Sequence, residues 1–166
     1  MKQIALVSYA ACPQLTDDDR LLIPAFARRG VRAVPAIWDA DINWSQFDRV
    51  VLRSCWDYHL RLSEFLKWIE RLERLDIPLS NSARLVRWNA DKSYLRELKA
   101  RGVRIPPTFW IEAHQEHDVA TILRQMGWPS AIAKPVVSAS AHGLQQRAAA
   151  ARGGGAVSAD HGARSS

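Results

Sequence analysis

Lys134-Pro135-Val136-Val137-Ser138-Ala139-Ser140-Ala141-His142-Gly143 decides how this chain is read. The apolar run Ala131-Ile132-Ala133 leads into Lys134, which places the lysine at the end of a short strand. The residues that follow are small, so backbone N–H groups can approach an anionic ligand closely, as glycine-rich phosphate loops allow. Upstream stand Trp88-Asn89-Ala90-Asp91-Lys92-Ser93-Tyr94-Leu95 and Gly102-Val103-Arg104-Ile105-Pro106-Pro107-Thr108. Two lysines in distinct settings ahead of a small-residue loop read as half of a nucleotide site.

Together these segments resemble the ATP-grasp superfamily, in particular its glutathione-synthetase-like ligases. The resemblance extends upstream to Arg53-Ser54-Cys55-Trp56-Asp57-Tyr58 and covers residues 1 to about 144. It implies an α/β chain: a Rossmann-like pre-ATP-grasp domain with an open parallel sheet over 1–81, an incomplete first ATP-grasp subdomain over 82–144, and a disordered tail over 145–166. ATP is the implied nucleotide. By the same resemblance Lys134 contacts its phosphates, Lys92 adds a second contact, and the loop carrying Ser138, Ser140 and Gly143 lies over them. The family reaction joins a carboxylate to an amine or related nucleophile through an acyl phosphate, and the preceding domain helps to hold the acceptor, which points to Arg53, Ser54, Trp56 and Asp57. Family members bring in Mg²⁺ through acidic and amide ligands on later strands. Nothing after Gly143 supplies such a set, and Asp160 alone cannot organise a hard cation, so no metal ligand is assigned and little or no catalysis is expected of this stretch.

The residues predict elements of their own. Ile4 to Ser8 is a continuous apolar run that suits a strand covered on both faces. Thr16 is the expected cap of a helix running to Gly30, with Asp17, Asp18 and Asp19 in its first turn and Pro24 as its awkward member. Val31 to Ile37 and Arg49 to Arg53 read as strands. Ser63 is the expected cap of a helix whose apolar stripe is Phe65, Leu66, Trp68, Ile69, Leu72 and Leu75. A helix over 89–101 would place Asp91-Lys92 in its first turn. A strand over 108–111, a helix over 117–126 and the strand entering Lys134 complete the pattern.

Ligands of open α/β sheets bind outside the carboxyl ends of the strands, which is where Arg53 to Tyr58 falls. Arg53 suits a substrate carboxylate and Asp57 an amine. The structural alternative has Trp56 and Tyr58 packing between domains while Arg53 and Asp57 bond to each other.

The 166 residues carry a formal net charge of +6, but acidic runs such as Asp17-Asp18-Asp19 interrupt the basic residues and no basic stripe forms, which argues against nucleic-acid binding. Cys12 and Cys55 read as thiols of a reducing compartment. No apolar run is long enough for a membrane span, so the expected setting is cytoplasmic. After Leu144 the sequence turns to Ala, Gly, Ser and Arg, which reads as a natural tail or as the truncated or frame-shifted end of a longer chain. A non-catalytic module binding a small molecule or partner is the competing functional reading, and an uncovered strand edge would favour dimerisation.

Overall fold

β1 (Lys2–Ser8) is the spine of the fold. Its alternating side chains serve two separate cores, because successive residues of a strand point to opposite faces. Ile4 and Leu6 pack with Leu15 and Ala33, and against Leu22, Ile23 and Phe26. Ala5 and Val7 pack with Phe65, Ile69 and Leu72 on the other side. Residues 1–112 and 117–148 of the chain are described by this computed structural model.

Four parallel strands form the main sheet in the order β2-β1-β3-β4, with β2 at Val31–Ile37, β3 at Arg49–Leu52 and β4 at Leu79–Ser80. Ile4 pairs with Ala33 on one side and Arg49 on the other. The α/β class and the open parallel sheet expected from the sequence are both present. Because β2 and β3 flank β1, the connections diverge there, and the carboxyl ends of β1 and β3 are the switch point of the sheet, where open α/β sheets take their ligands.

The helix expected from Thr16 to Gly30 is two pieces, α1 (Asp17–Arg20) and α2 (Leu22–Ala27). Thr16 does cap the first, accepting from the backbone N–H of Asp19 at 3.1 Å. The break at Leu21 puts Pro24 in the first turn of α2, where its missing N–H has no intrahelical partner to lose. α3 (Leu62–Arg74) starts one residue before Ser63, and Arg61 rather than Ser63 holds its cap position. Phe65, Trp68, Ile69 and Leu72 form its buried stripe. Trp68 meets Trp44 at 5.2 Å and Trp38 at 6.2 Å between ring centroids, so three of the seven tryptophans are core.

Two helices, α4 (Ala83–Ala90) and α5 (Tyr94–Ala100), replace the single helix expected over 89–101. Asp91-Lys92 lies in the break between them. The backbone N–H of Lys92 donates to the carbonyl of Val136 at 2.9 Å, and Asp91 accepts from the N–H of Ser93 at 2.8 Å, so neither N–H continues a helix. Residues Met1–Pro106 and Lys134–Gly143 form one compact unit. The boundary expected at 81/82 falls inside it, because Ala83 joins the α3-side core, Val86 packs on that core and Arg87 pairs with Glu73.

The second unit holds Pro107–Ala133 and, of the described residues, 144–148. The strand expected over 108–111 is not formed. Pro106 and Pro107 lack N–H donors just ahead of it. α6 (Val119–Met126) is capped by Asp118 and ends at Gly127 in the left-handed region, φ 65°. β5 (Ser130–Ala133) pairs antiparallel with β6 (Gln145–Ala148), Ala133 opposite Gln145. The tail assigned to 145–166 therefore begins with a strand: a backbone ladder needs no apolar side chains, and all four of these residues are exposed. Residues 113–116 and 149–166, with Asp160 among them, lie outside the described residues.

Leu72 is fully buried beneath the sheet while Leu75 is largely exposed. Leu72→Ala should cost about 2–5 kcal/mol in equilibrium urea unfolding, and Leu75→Ala within about 0.5 kcal/mol.

Candidate functional site

The chain leaves β3 through a turn fixed by one acceptor. The carbonyl of Val7 in β1 receives the backbone N–H of Arg53 at 3.0 Å and of Ser54 at 3.1 Å, and the Cys55 thiol at 3.6 Å. Asp19 of α1 reaches this turn with its carboxylate nearly buried. Its Oδ1 accepts from Arg53 Nε at 2.8 Å and lies 2.6 Å from Nη2; its Oδ2 accepts from the Ser54 hydroxyl at 2.6 Å. Burial pushes the Asp19 carboxyl up, but the bonds from Ser54 and Arg53, with the arginine charge, outweigh it and hold the group below its ordinary value.

Asp57 is committed elsewhere. Its Oδ1 accepts from Trp38 Nε1 at 2.8 Å and its Oδ2 from Arg61 at 3.1 Å, while Arg61 also reaches Asp39 at 2.7 Å and lies over the Trp38 ring. Arg53 and Asp57 thus have separate partners and do not bond to each other. Of the four residues proposed for the acceptor, Arg53 and Trp56 face solvent, whereas Ser54 and Asp57 are held in internal bonds. Trp56 stands 6.1 Å from Tyr9, which follows β1. Both cysteines are free, and burial, with the negative charge of Asp57 added, pushes the Cys55 thiol up to about 12.

At the small-residue loop, the ammonium of Lys92 donates to the Ser138 carbonyl at 2.7 Å and to the Ser138 hydroxyl at 2.9 Å. A longer bond of 3.4 Å reaches the carbonyl of Val136. Ser140, Ala141 and Gly143 all have positive φ, and the His142 N–H closes a turn on the Ala139 carbonyl at 2.8 Å. A Cβ at Gly143 would lie 2.9 Å from Pro135 Cγ, so only glycine fits that close return. Lys134, Ser140 and Gly143 are exposed. Burial, and then the charge of Lys134, lower the Lys92 pKa against the opposing pull of Asp91. His142 packs its ring 4.8 Å from His59, whose Nδ1 lies 2.9 Å from the carbonyl of Trp56.

Asp19, Tyr9, His59 and Arg61 escaped the sequence reading as site residues. Asp19 carried a signal, three residues after the Thr16 cap, but one that names a helix start and not a partner 34 residues away. Among the described residues no group of three or more His, Cys, Asp or Glu is placed to hold a metal ion. Among them, too, no helix is long and apolar enough to cross a membrane.

In the native protein iodoacetamide should label Cys12, which is partly exposed, and leave Cys55 unmodified until urea is added; peptide mass mapping reads the difference. For Asp19, a folded pKa below 3.8 contributes stability above that pH, lost as acidification passes the lower folded value. The melting temperature of the wild type should therefore fall more steeply below pH 3.8 than that of Asp19→Asn.

Residues 4–81 match the family described as the N-terminal domain of D-cycloserine synthetase DcsG. The cycloserine biosynthesis protein DcsG of Streptomyces lavendulae is 38% identical over 109 residues, 63% of this chain and 35% of that protein. The crystal structure of D-cycloserine synthetase DcsG superposes with a TM-score of 0.77 at 29% identity, covering 88% of this chain and 50% of that one. Two further structures share the fold: a RimK domain ATP-grasp protein from Sphaerobacter thermophilus DSM 20745, TM-score 0.60 at 21% identity over 88% of this chain and 53% of that one, and D-alanine–D-alanine ligase from Bacillus anthracis, TM-score 0.58 at 15% identity over 89% and 50%. The chain spans about a third to a half of the length of these relatives. It is a homologue of the D-cycloserine synthetase DcsG and has its structural neighbours in the ATP-grasp ligase family.

Proposed function

We propose that the chain binds the phosphates of ATP and holds the acceptor for a cytoplasmic ligase that joins a carboxylate to an amine or related nucleophile through an acyl phosphate. The observation that carries this reading is geometric: Lys92 is held on the oxygens of Val136 and Ser138 in the small-residue loop that begins at Lys134, and Ser140, Ala141 and Gly143 of that loop have positive φ. Like charges held together cost energy that an anion between them would return. A lysine is a compact charge on a long stem and suits a phosphate oxygen. When bound, ATP supplies the phosphoryl group that activates a carboxylate. The chain's own part is to set the two ammoniums and, beside them, the N–H groups of Ser140, Ala141 and Gly143 together with the Ser140 hydroxyl. The acceptor lies at the β1/β3 crevice, near Arg53, Ser54, Trp56 and Asp57. The DcsG relative is named for the biosynthesis of cycloserine, which favours a small molecule as the substrate.

Isothermal titration of the purified chain with MgATP tests the nucleotide half. Lys134→Ala and Lys92→Ala should each weaken binding about tenfold or more, the loss expected for one charge-assisted bond. Binding unaffected by both substitutions, or absent from the wild type, would remove the reading.

A further inference from the structure

Among Arg53, Ser54 and Asp57, the polar residues proposed for the acceptor, the guanidinium of Arg53 combines exposure with unspent hydrogen-bonding capacity. Asp57 has both oxygens occupied and its side chain is 15% exposed, which leaves no open carboxylate to receive a substrate ammonium there. The Ser54 hydroxyl is turned inward to Asp19. Arg53 has its side chain 42% exposed and meets Asp19 through Nε and Nη2 only, both directed at the same oxygen. A guanidinium carries five N–H donors in a planar fork, so this side-on grip leaves the Nη1–Nη2 end with donors in parallel, the geometry that takes a carboxylate by two bonds.

Two further features make the fork a directed one. Asp19 is itself fixed: its backbone N–H is bonded to Thr16, its second oxygen to Ser54, and its side chain is 5% exposed, so the guanidinium rotates on a rigid anchor and not on a solvated one. The depressed pKa of Asp19 keeps that anchor ionised at neutral pH. Trp56, 46% exposed and packed near Tyr9, supplies an aromatic face three residues beyond Arg53.

We propose that the Nη1–Nη2 end of Arg53 is the receptor for the carboxylate of a small amino acid at the β1/β3 crevice, and that Asp19 is the positioning residue that aims it. The proposal rests on the ligase reading above, in which this crevice holds the acceptor. It narrows that reading to the acid end of the substrate. Asp19 acts through Arg53 and touches no ligand, while Ser54 supports Asp19. The Asp19–Arg53 pair is formally neutral, so recognition depends on the aligned fork more than on net charge, and a lysine at 53 does not reproduce it.

Saturation-transfer NMR on the purified chain, with D-serine as the probe and serinol, which lacks the carboxylate, as its control, tests this directly. Transfer to D-serine and none to serinol is expected. Arg53→Gln and Arg53→Lys should abolish the D-serine signal, and Asp19→Asn should weaken its apparent affinity about tenfold, the loss expected when a charge-assisted contact is misdirected. Ser54→Ala removes one of the bonds that hold Asp19 and should weaken D-serine binding less than Asp19→Asn does, because the guanidinium keeps its charged anchor. MgATP titrated into the same folded variants should bind as in the wild type, so loss of the nucleotide reading and loss of this one give different patterns. Equal transfer to serinol, no transfer to D-serine in the wild type, or D-serine binding untouched by Arg53→Gln would overturn the proposal. If Asp19→Asn fails to fold, the two Arg53 variants and serinol still decide it.

Discussion

Two-sided burial of β1 is the constraint from which the arrangement of the molecule follows. Ala5, Leu6 and Val7 have no solvent exposure, so each face of the strand must be covered by a different helix layer. α2 covers the face of Ile4 and Leu6, and α3 that of Ala5 and Val7. With strands paired on both of its edges, β1 can open to solvent only at its ends. The crevice at its carboxyl end is therefore a product of packing before it is a feature of any binding chemistry.

Partly buried charges are handled in two contrasting ways in the same compact unit. Asp19 is answered by an opposite charge and a hydroxyl, and its ionised form is favoured. Lys92 is answered by carbonyl and hydroxyl oxygens of the loop while another cation stands near, and its ionised form is disfavoured. The first arrangement is self-sufficient, with Ser54 and Arg53 taking up both carboxylate oxygens. The second holds unbalanced positive charge beside exposed backbone, the electrostatic state in which an anion gains most. This contrast distinguishes the turn after β3, where the charges are matched, from the small-residue loop, where they are not.

Much of the fold was legible because its signals are local. The Ile4 to Ser8 run, the α3 stripe and the Thr16 cap each report on neighbours within a few residues, and each is realised in the structure. Two of the misreadings share one cause, a distant partner. The helix expected through Asp91-Lys92 breaks because the N–H of Lys92 goes to Val136, 44 residues away. Gln145–Ala148 looks structureless by composition but forms a strand because β5 offers it a ladder. The residues that bear on a site divide the same way. Arg53, Lys92 and Lys134 stand in recognisable motifs, whereas Asp19 becomes interpretable only once Arg53 is seen against it.

The single carbonyl of Val7 that gathers Arg53, Ser54 and Cys55 has an evolutionary consequence. Two of its three donors are main-chain groups, so the turn leaving β3 keeps its shape whatever side chains stand at positions 53 and 54. Substitution there leaves those two main-chain bonds in place, so the cost falls on the nearly buried carboxylate of Asp19 that Arg53 and Ser54 satisfy. A lineage carrying this turn can vary what it displays only by changing position 19 together with 53 and 54, a coupling that ties the surface of the turn to the helix beneath it.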